Sequence, residues 1–420
     1  MKKISFTSTQ KAIHCTPLFT IENDPLKVIT RTVWILSLVS LFTDMASEML
    51  YPIMPIYLKS IGFSIVLIGL LEGLAEATAG LSKSYFGKHS DRLGRRVPFV
   101  QIGYALSAFS KPLMAVFTFP IWIFFVRTLD RLGKGIRTGA RDAILAEEST
   151  PETKATVFGF HRSMDTFGAM LGPAMALVYL YFYPQQYKML FILALFPGII
   201  ALIASMLLKE KVKTKINPTQ PISFFSIFSY WKTSSIEYRK WSIGFLAFTV
   251  FNSSDIFLLL KAKQSGLEDS WIIGIYIFYN FIYALCSYPT GMLADKIGLR
   301  NTYLFGLSLF VMVYLGMAFE GNYIWYVFLF ILYGIYAAAT EGISKALLSL
   351  CAAKTEMANA LGSFSGLQSI AALISSSFAG LIWYSCNASV SLIISAIGAF
   401  CVIIYFISMH PKIDHDPINQ

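Results

Sequence analysis

The sequence predicts an all-α membrane protein, with twelve transmembrane helices arranged as two six-helix pseudo-repeats. Three observations carry that prediction. The chain has 420 residues, of which 55% are hydrophobic and only 14% charged, with a mean hydropathy of +0.60. That leaves too little polar surface to cover a soluble protein of this length. The apolar residues fall into twelve stretches, each near the length of about 20 residues that a bilayer core requires of a helix. Finally, a charged motif, Gly-x-x-x-Asp-(Arg/Lys)-x-Gly-x-Arg, runs from Gly87 to Arg96 and again from Gly291 to Arg300, and the interval from 87 to 291 is 204 residues, about half the chain.

In chain order the predicted spans cover residues 32–59, 65–86, 97–118, 120–140, 156–181, 188–208, 241–260, 271–293, 302–319, 323–350, 358–383 and 389–408. Basic residues cluster in alternate loops. Lys2, Lys3, Lys11, Lys27 and Arg31 precede the first span; Lys88, Arg92, Arg95 and Arg96 follow the second; Lys209, Lys211, Lys213, Lys215, Lys232, Arg239 and Lys240 follow the sixth. The loops near 60–64, 119–120 and 183–187 carry almost none. This positive-inside pattern places both termini in the cytoplasm, and it gives the net charge of +10 a topological reading with no nucleic acid involved. The first residues, about 30 of them, lack the apolar core and small-residue site of a secretory signal. The five cysteines are scattered without metal-ligand or disulfide spacing.

The expected organisation is a cytoplasmic tail (1–31), an N-terminal six-helix bundle (32–208), a cytoplasmic linker (209–240), a C-terminal six-helix bundle (241–408) and a second tail (409–420). The repeat extends beyond the motif. Gly139 and its following residues match those from Gly342, and the stretch at Ala155–Gly159 matches Ala358–Gly362, both at an interval of 203. Parallel repeats of this kind build two-halved membrane proteins. In the linker, Phe224, Phe225, Ile227, Phe228, Tyr230 and Trp231 form either a short helix on the inner membrane surface or an unstructured connection.

Charges inside the spans carry the most functional information, because each is expensive in the bilayer and must face protein or water. Asp44 and Glu48 are spaced i, i+4 on one face of the first span. Glu72, Glu76 and Lys83 share a face of the second. Arg127, Asp130, Arg131, Lys134, Arg137 and Arg141 fall within about a third of the circumference of the fourth. His161, Arg162 and Asp165 sit together on the fifth. At about 1.5 Å of rise per residue, Asp44, Glu76, Arg127, Asp130, Arg131 and Asp165 can meet near the midplane.

The repeat supplies an internal comparison. Glu72 and Glu76 correspond to Tyr276 and Asn280; Arg127, Asp130 and Arg131 to Phe330, Tyr333 and Gly334; His161, Arg162 and Asp165 to Phe364, Ser365 and Gln368. Neutral residues therefore serve at equivalent positions, and the N-terminal half has been loaded with ionisable groups. The C-terminal half keeps Asp255 and an i, i+4 pair, Glu341 and Lys345. The structural alternative is a set of ion pairs that only neutralise one another.

These residues resemble the major facilitator superfamily from about 31 to 408. The doubled motif matches its signature loops, and Gly168-x-x-x-Gly172-Pro173 is similar to the fifth-helix motif of proton-driven exporters, though Met175 and Ala176 follow where that motif has glycine. Arg127-x-x-Asp130-Arg131-x-Gly133-Lys134-Gly135-x-Arg137, with Asp44–Pro52 and Asn252–Lys261, resembles a prokaryotic subgroup. The resemblance implies a secondary active transporter working by alternating access, not an enzyme and without cofactor or metal. It would move a small organic solute with protons, as a monomer in the bacterial inner membrane. Proton-coupled export is the first expectation. Uptake of an anionic metabolite or a metal-chelating organic acid is the alternative, raised by the fourth-span arginines.

Site assignments follow. Asp44, Glu48, Glu72, Glu76, Asp130 and Asp165 are the candidates for proton coupling. Arg127, Arg131, His161, Arg162, Asp255, Tyr279, Glu341 and Lys345 are candidates for substrate binding, with Tyr51, Tyr276, Tyr283, Tyr288, Tyr333 and Tyr336 as further cavity-lining aromatics. Gly87, Asp91, Arg92, Gly94, Arg95, Asp142, Asp295 and Lys296 form the expected cytoplasmic gate. By the same resemblance Asp91 sits at a helix N-terminus of the opposite half, and Arg92 pairs with an acid at the inner end of the fourth span such as Asp142.

Overall fold

The computed structural model describes residues 28–51, 53–211 and 226–409. Most of the two expected tails, and the linker positions Pro218, Pro221, Phe224 and Phe225, lie outside them. Among the described residues there are helices and no strands. Twelve spans follow one another in two sets of six. Five are unbroken long helices: the second (Ile65–Leu93), fourth (Pro120–Glu147), fifth (Lys154–Phe182), eighth (Asp269–Ile297) and eleventh (Met357–Ser385). The third (Val97–Val116), ninth (Leu299–Ala318) and twelfth (Ala388–Ser408) are somewhat shorter. Six spans are long and apolar enough to cross a membrane by length and composition alone; the second, fourth and fifth each carry several ionisable residues. Apolar side chains such as Ile121, Tyr181, Phe182, Phe196, Leu285 and Leu381 lie on the outside, as a lipid-facing surface requires.

Four spans are made of two helical pieces where hydropathy alone predicts one. The first is Arg31–Glu48 and Met54–Ser60, the sixth Tyr187–Leu193 and Leu195–Met206, the seventh Ile236–Phe251 and Asp255–Gln264, and the tenth Tyr323–Ala338 and Glu341–Leu350. In the seventh the break falls at Asn252-Ser253-Ser254, residues whose side chains compete for backbone hydrogen bonds, and Ser254 caps the second piece. The second and fourth spans run longer than predicted, to Leu93 and Glu147, because charged residues beyond the apolar stretch continue the helix.

The short helix of the linker, Ser226–Thr233, packs against the eleventh and second spans. Its Tyr230 is buried edge-on against Tyr238. It is docked on protein.

The halves meet along two symmetry-related seams, the second span against the eleventh and the fifth against the eighth. Glycine permits both. A Cβ at Gly87 would overlap the carbonyl of Ala358, and its repeat equivalent Gly291 stands in the same relation to Ala155. The tight turns belong to other glycines of the motif: Gly94 ends the second span at φ +63° and Gly298 ends the eighth at φ +99°. The larger apolar core takes residues from both halves, Val33 and Phe158 together with Tyr303 and Phe364. A second core, built from Ala46, Leu50, Tyr57, Leu71, Ile123, Phe191 and neighbours, belongs to the N-terminal half alone. The molecule is therefore tied together toward the end that carries the loop motifs.

Candidate functional site

At the motif end, both copies of the acidic residue cap a helix of the opposite half. Asp91 accepts from the Asn359 backbone N–H (2.8 Å) at the start of the eleventh span. Asp295 accepts from the Ala155 and Thr156 N–H groups (3.0 and 2.7 Å) at the start of the fifth. A carboxylate there satisfies orphan donors and meets the positive end of the helix dipole. The repeat is thus used twice for the same contact.

The basic residues behave differently from expectation. The guanidinium that reaches Asp91 belongs to Arg96 (2.7 Å), which also bonds Glu147 at the end of the fourth span. The left-handed Gly94 turns the chain so that Arg96 folds back on the helix it follows. Asp142, the expected partner of Arg92, is taken by Arg141 (2.9 Å) and by Lys345 of the other half (2.8 Å). Arg95 and Lys296 are exposed. In the second copy Arg300 caps the end of the twelfth span, donating to the Phe406 and Ile407 carbonyls.

Further along the seam, Lys83 leaves the face of Glu72 and Glu76 and donates to Ser369 Oγ (2.8 Å) and the Ser365 carbonyl (3.4 Å) of the eleventh span. Ser84 and Ser363 hydroxyls meet at 2.9 Å. On the other seam Arg162 bridges the halves. It holds Asp165 (2.7 Å) in its own helix, Glu341 of the tenth span, and the Tyr283 hydroxyl of the eighth (2.5 Å). The expected Glu341–Lys345 pair along one helix does not form, because each finds an opposite charge across the interface. Lys345, expected among the binding residues, is thus paired with Asp142, an expected gate residue, across the interface.

Asp165 is the hub of this layer. Besides Arg162 it accepts from Ser40, and Asp44 of the first span lies near enough for the two carboxyls to interact through their charges. Glu48 follows one turn along the first span.

The N-terminal half encloses a charged cavity between its first, third and fourth spans, lined by Asp44, Glu48, Tyr51, Ser107, Lys111, Arg127, Asp130, Arg131, Lys134 and Arg137 among others. Arg127 holds Glu72 in a bidentate pair (2.9 Å twice) and lies 3.6 Å from Asp130. Arg131 reaches Glu76 at 3.4 Å and Glu72 at 3.9 Å. Asp130 also accepts from Ser107 (2.6 Å) and faces Lys111 at 3.5 Å. Of the predicted residues, the cavity therefore gathers Asp44, Glu48, Arg127, Asp130 and Arg131, with Glu72 and Glu76 bound to its arginines. Lys111 was not predicted. In the third span it reads as an isolated charge, and only the fold places it against the fourth.

Several predicted residues lie elsewhere. His161 is buried behind this layer, with Nδ1 3.4 Å from Ser37 Oγ. Tyr279, Tyr283, Tyr333 and Tyr336 are buried in an aromatic stack of the C-terminal half, with Tyr279 and Tyr333 centroids 5.0 Å apart. They fill core space between the spans of that half. Tyr333 also donates to Asp255 (2.7 Å). Tyr51 is exposed and Tyr276 half-buried. Gly168 and Gly172 press the fifth span onto the first, at the Leu41 and Met45 carbonyls.

Comparison with known proteins gives a consistent result. The Major Facilitator Superfamily matches residues 36–277 and 241–419. An uncharacterized MFS-type (major facilitator) transporter of Methanocaldococcus jannaschii is 33% identical over 368 residues, covering 86% of this chain and 90% of that relative. Another uncharacterized MFS-type transporter, from Bacillus subtilis, is 28% identical over 149 residues, 35% of this chain and 36% of the relative. The crystal structure of the human organic anion transporter MFSD10 superposes with a TM-score of 0.75, covering 90% of this chain and 99% of that one at 16% identity. At that identity the likeness speaks for the fold.

Proposed function

This chain belongs to the Major Facilitator Superfamily and is thus a multi-pass membrane transporter of a small solute, not an enzyme; from that premise we propose that it couples the solute to protons through Asp165 and Arg162. The observation that carries the reading is the Arg162 bridge, in which one guanidinium is shared between a carboxylate of its own half and Glu341 and Tyr283 of the other. For the halves to part at this level the bridge has to break. With a proton on Asp165, Arg162 keeps Glu341 as its charge partner and the seam tightens. With Asp165 ionised, the guanidinium is drawn back into the N-terminal half and the seam loosens. Asp44, close enough to Asp165 for the two charges to interact, is the adjoining proton site, and Glu48, Glu72, Glu76 and Asp130 set the field around it.

The basic loops support a cytoplasmic motif end, cytoplasmic termini and an inner-membrane location in a bacterial cell. Asp91, Asp295, Arg96 and the Asp142–Lys345 pair form the cytoplasmic gate, shut in this conformation. The bundles 32–208 and 241–408 rock about it as a monomer. Export is the direction that the loop motif and Gly168-x-x-x-Gly172-Pro173 support by resemblance. Uptake of an anionic metabolite or metal-chelating organic acid is the second reading, favoured by the number of cations in the N-terminal cavity.

The test separates coupling from binding. In proteoliposomes, Asp165→Asn should abolish solute accumulation driven by a pH gradient while retaining exchange of solute for solute. Gradient-driven accumulation at the wild-type rate in that variant would remove Asp165 from the coupling path.

A further inference from the structure

On the fourth-span stripe, Arg127 and Arg131 have carboxylate partners, whereas two cations further along do not. Arg137 is 4% exposed, and its Nε and Nη1 are buried without a hydrogen-bond partner. No carboxylate comes within 4 Å of its guanidinium among the described residues, and its one close neighbour of note is the ring of Tyr104, 4.6 Å from Cζ to centroid. Lys134, one turn away on the same cavity wall, is exposed and likewise forms no ion pair within 4 Å among the described residues. Arg131, on the turn before, leaves its Nε without a partner.

A guanidinium withdrawn from water and left without an acceptor is unusual, since buried charges are normally paired. The stripe could have been satisfied by neighbouring acids, as Glu72 satisfies Arg127. Asp44, Glu48 and Asp130 line the same cavity, yet none of them comes within 4 Å of the Lys134 ammonium or the Arg137 guanidinium among the described residues. The Tyr104 ring fixes the guanidinium plane without consuming its donors. Planar donors held in this way match the paired oxygens of a carboxylate or phosphate.

We infer that Arg137, Lys134 and Arg131 form a subsite for an oxyanion group of the transported solute, so that the substrate class is an organic acid or phosphate ester. This deepens the proposed function by naming the chemistry of its cavity, and it rests on the reading of the chain as a solute transporter. Arg137 closes the deep end of the subsite and Lys134, exposed in the cavity, meets the anion first.

Binding to the purified full chain in detergent tests this without any gradient, so it succeeds or fails independently of proton coupling. The probes are citrate, succinate, inorganic phosphate and glycerol phosphate, with tetraethylammonium as the cation control, read as saturable thermal stabilisation. At least one oxyanion should stabilise the protein. Lys134→Gln, on an exposed position that leaves the fold intact, should weaken that effect by about tenfold, and Arg137→Gln by about tenfold to a hundredfold, the range for a charge-assisted hydrogen bond. Carboxylate-only or phosphate-only responses would each support the subsite and tell its two sources apart. No saturable response to any oxyanion, a response to the cation alone, or oxyanion affinities unchanged in Lys134→Gln would overturn it.

Discussion

At the scale of single residues, the contacts with most consequence are those in which a missing side chain lets two halves approach. Gly87 lies directly against the Ala358 carbonyl, so any larger residue there must push the second and eleventh spans apart. Overpacking of this kind costs about 1–3 kcal/mol, and it falls entirely on the closed state of the motif end. Gly87→Val is therefore expected to fold but to leave that end open. Maleimide labelling of a cysteine placed at Ser363, in a background without native cysteines, should be slow in the parent and fast in the Gly87→Val variant; equal rates would mean the seam tolerates the branch. Which residues would bear charge into the membrane was legible from the sequence, and so, through the family resemblance, was the place of Asp91 at a helix start of the opposite half. The partners were not. Periodicity tells which face of a helix a residue occupies, but Glu341 and Lys345 are drawn to Arg162 and Asp142 by an interface that periodicity does not contain. Arg137 stands on the fourth-span stripe in the sequence, and only its lack of a partner in three dimensions sets it apart from the others.

At the scale of elements, several helix ends near the motif are held by groups from elsewhere in the chain. The third span has no side-chain cap of its own. Its first amides, Arg96 and Val97, donate to Glu210 (3.0 and 2.8 Å), which arrives from the segment after the sixth span. Removing a cap of this kind costs about 0.5–2 kcal/mol. Glu210→Ala is expected to lower the thermal midpoint of the detergent-solubilised protein while leaving the motif seams intact; an unchanged midpoint would assign the capping to solvent. Span positions were readable because each apolar stretch is near the length a bilayer demands. The breaks at Glu48–Met54 and Asn252–Ser254 escaped because hydropathy registers side chains and is blind to where the backbone leaves its ladder.

At the scale of the whole molecule, the second–eleventh and fifth–eighth seams make one closed end, and alternating access requires that they separate. Cysteines replacing Ser84 and Ser363, whose hydroxyls are 2.9 Å apart, should form a cross-link that halts transport and a reductant should restore it. Transport at full rate through the cross-linked protein would show that the halves do not part there. The two-halved design was evident from the interval between motif copies, since a loop that recurs at half-chain spacing marks a duplicated bundle. The asymmetry of charge was evident too, although its division into an inter-half bridge at Arg162 and a cation-rich cavity around Arg137 depends on packing between spans that the linear order does not give.

The central claim is that protons and solute move together. The most direct measurement follows the internal pH of proteoliposomes containing the protein and a trapped pH-sensitive dye, as pools of organic anions and then organic cations are added. The account predicts a solute-dependent pH change in the wild-type protein that disappears in Asp165→Asn while isotope exchange of the same solute continues. Solute movement with no pH change in the wild type would contradict it, leaving the Asp44–Asp165–Arg162 cluster as a structural set of charges.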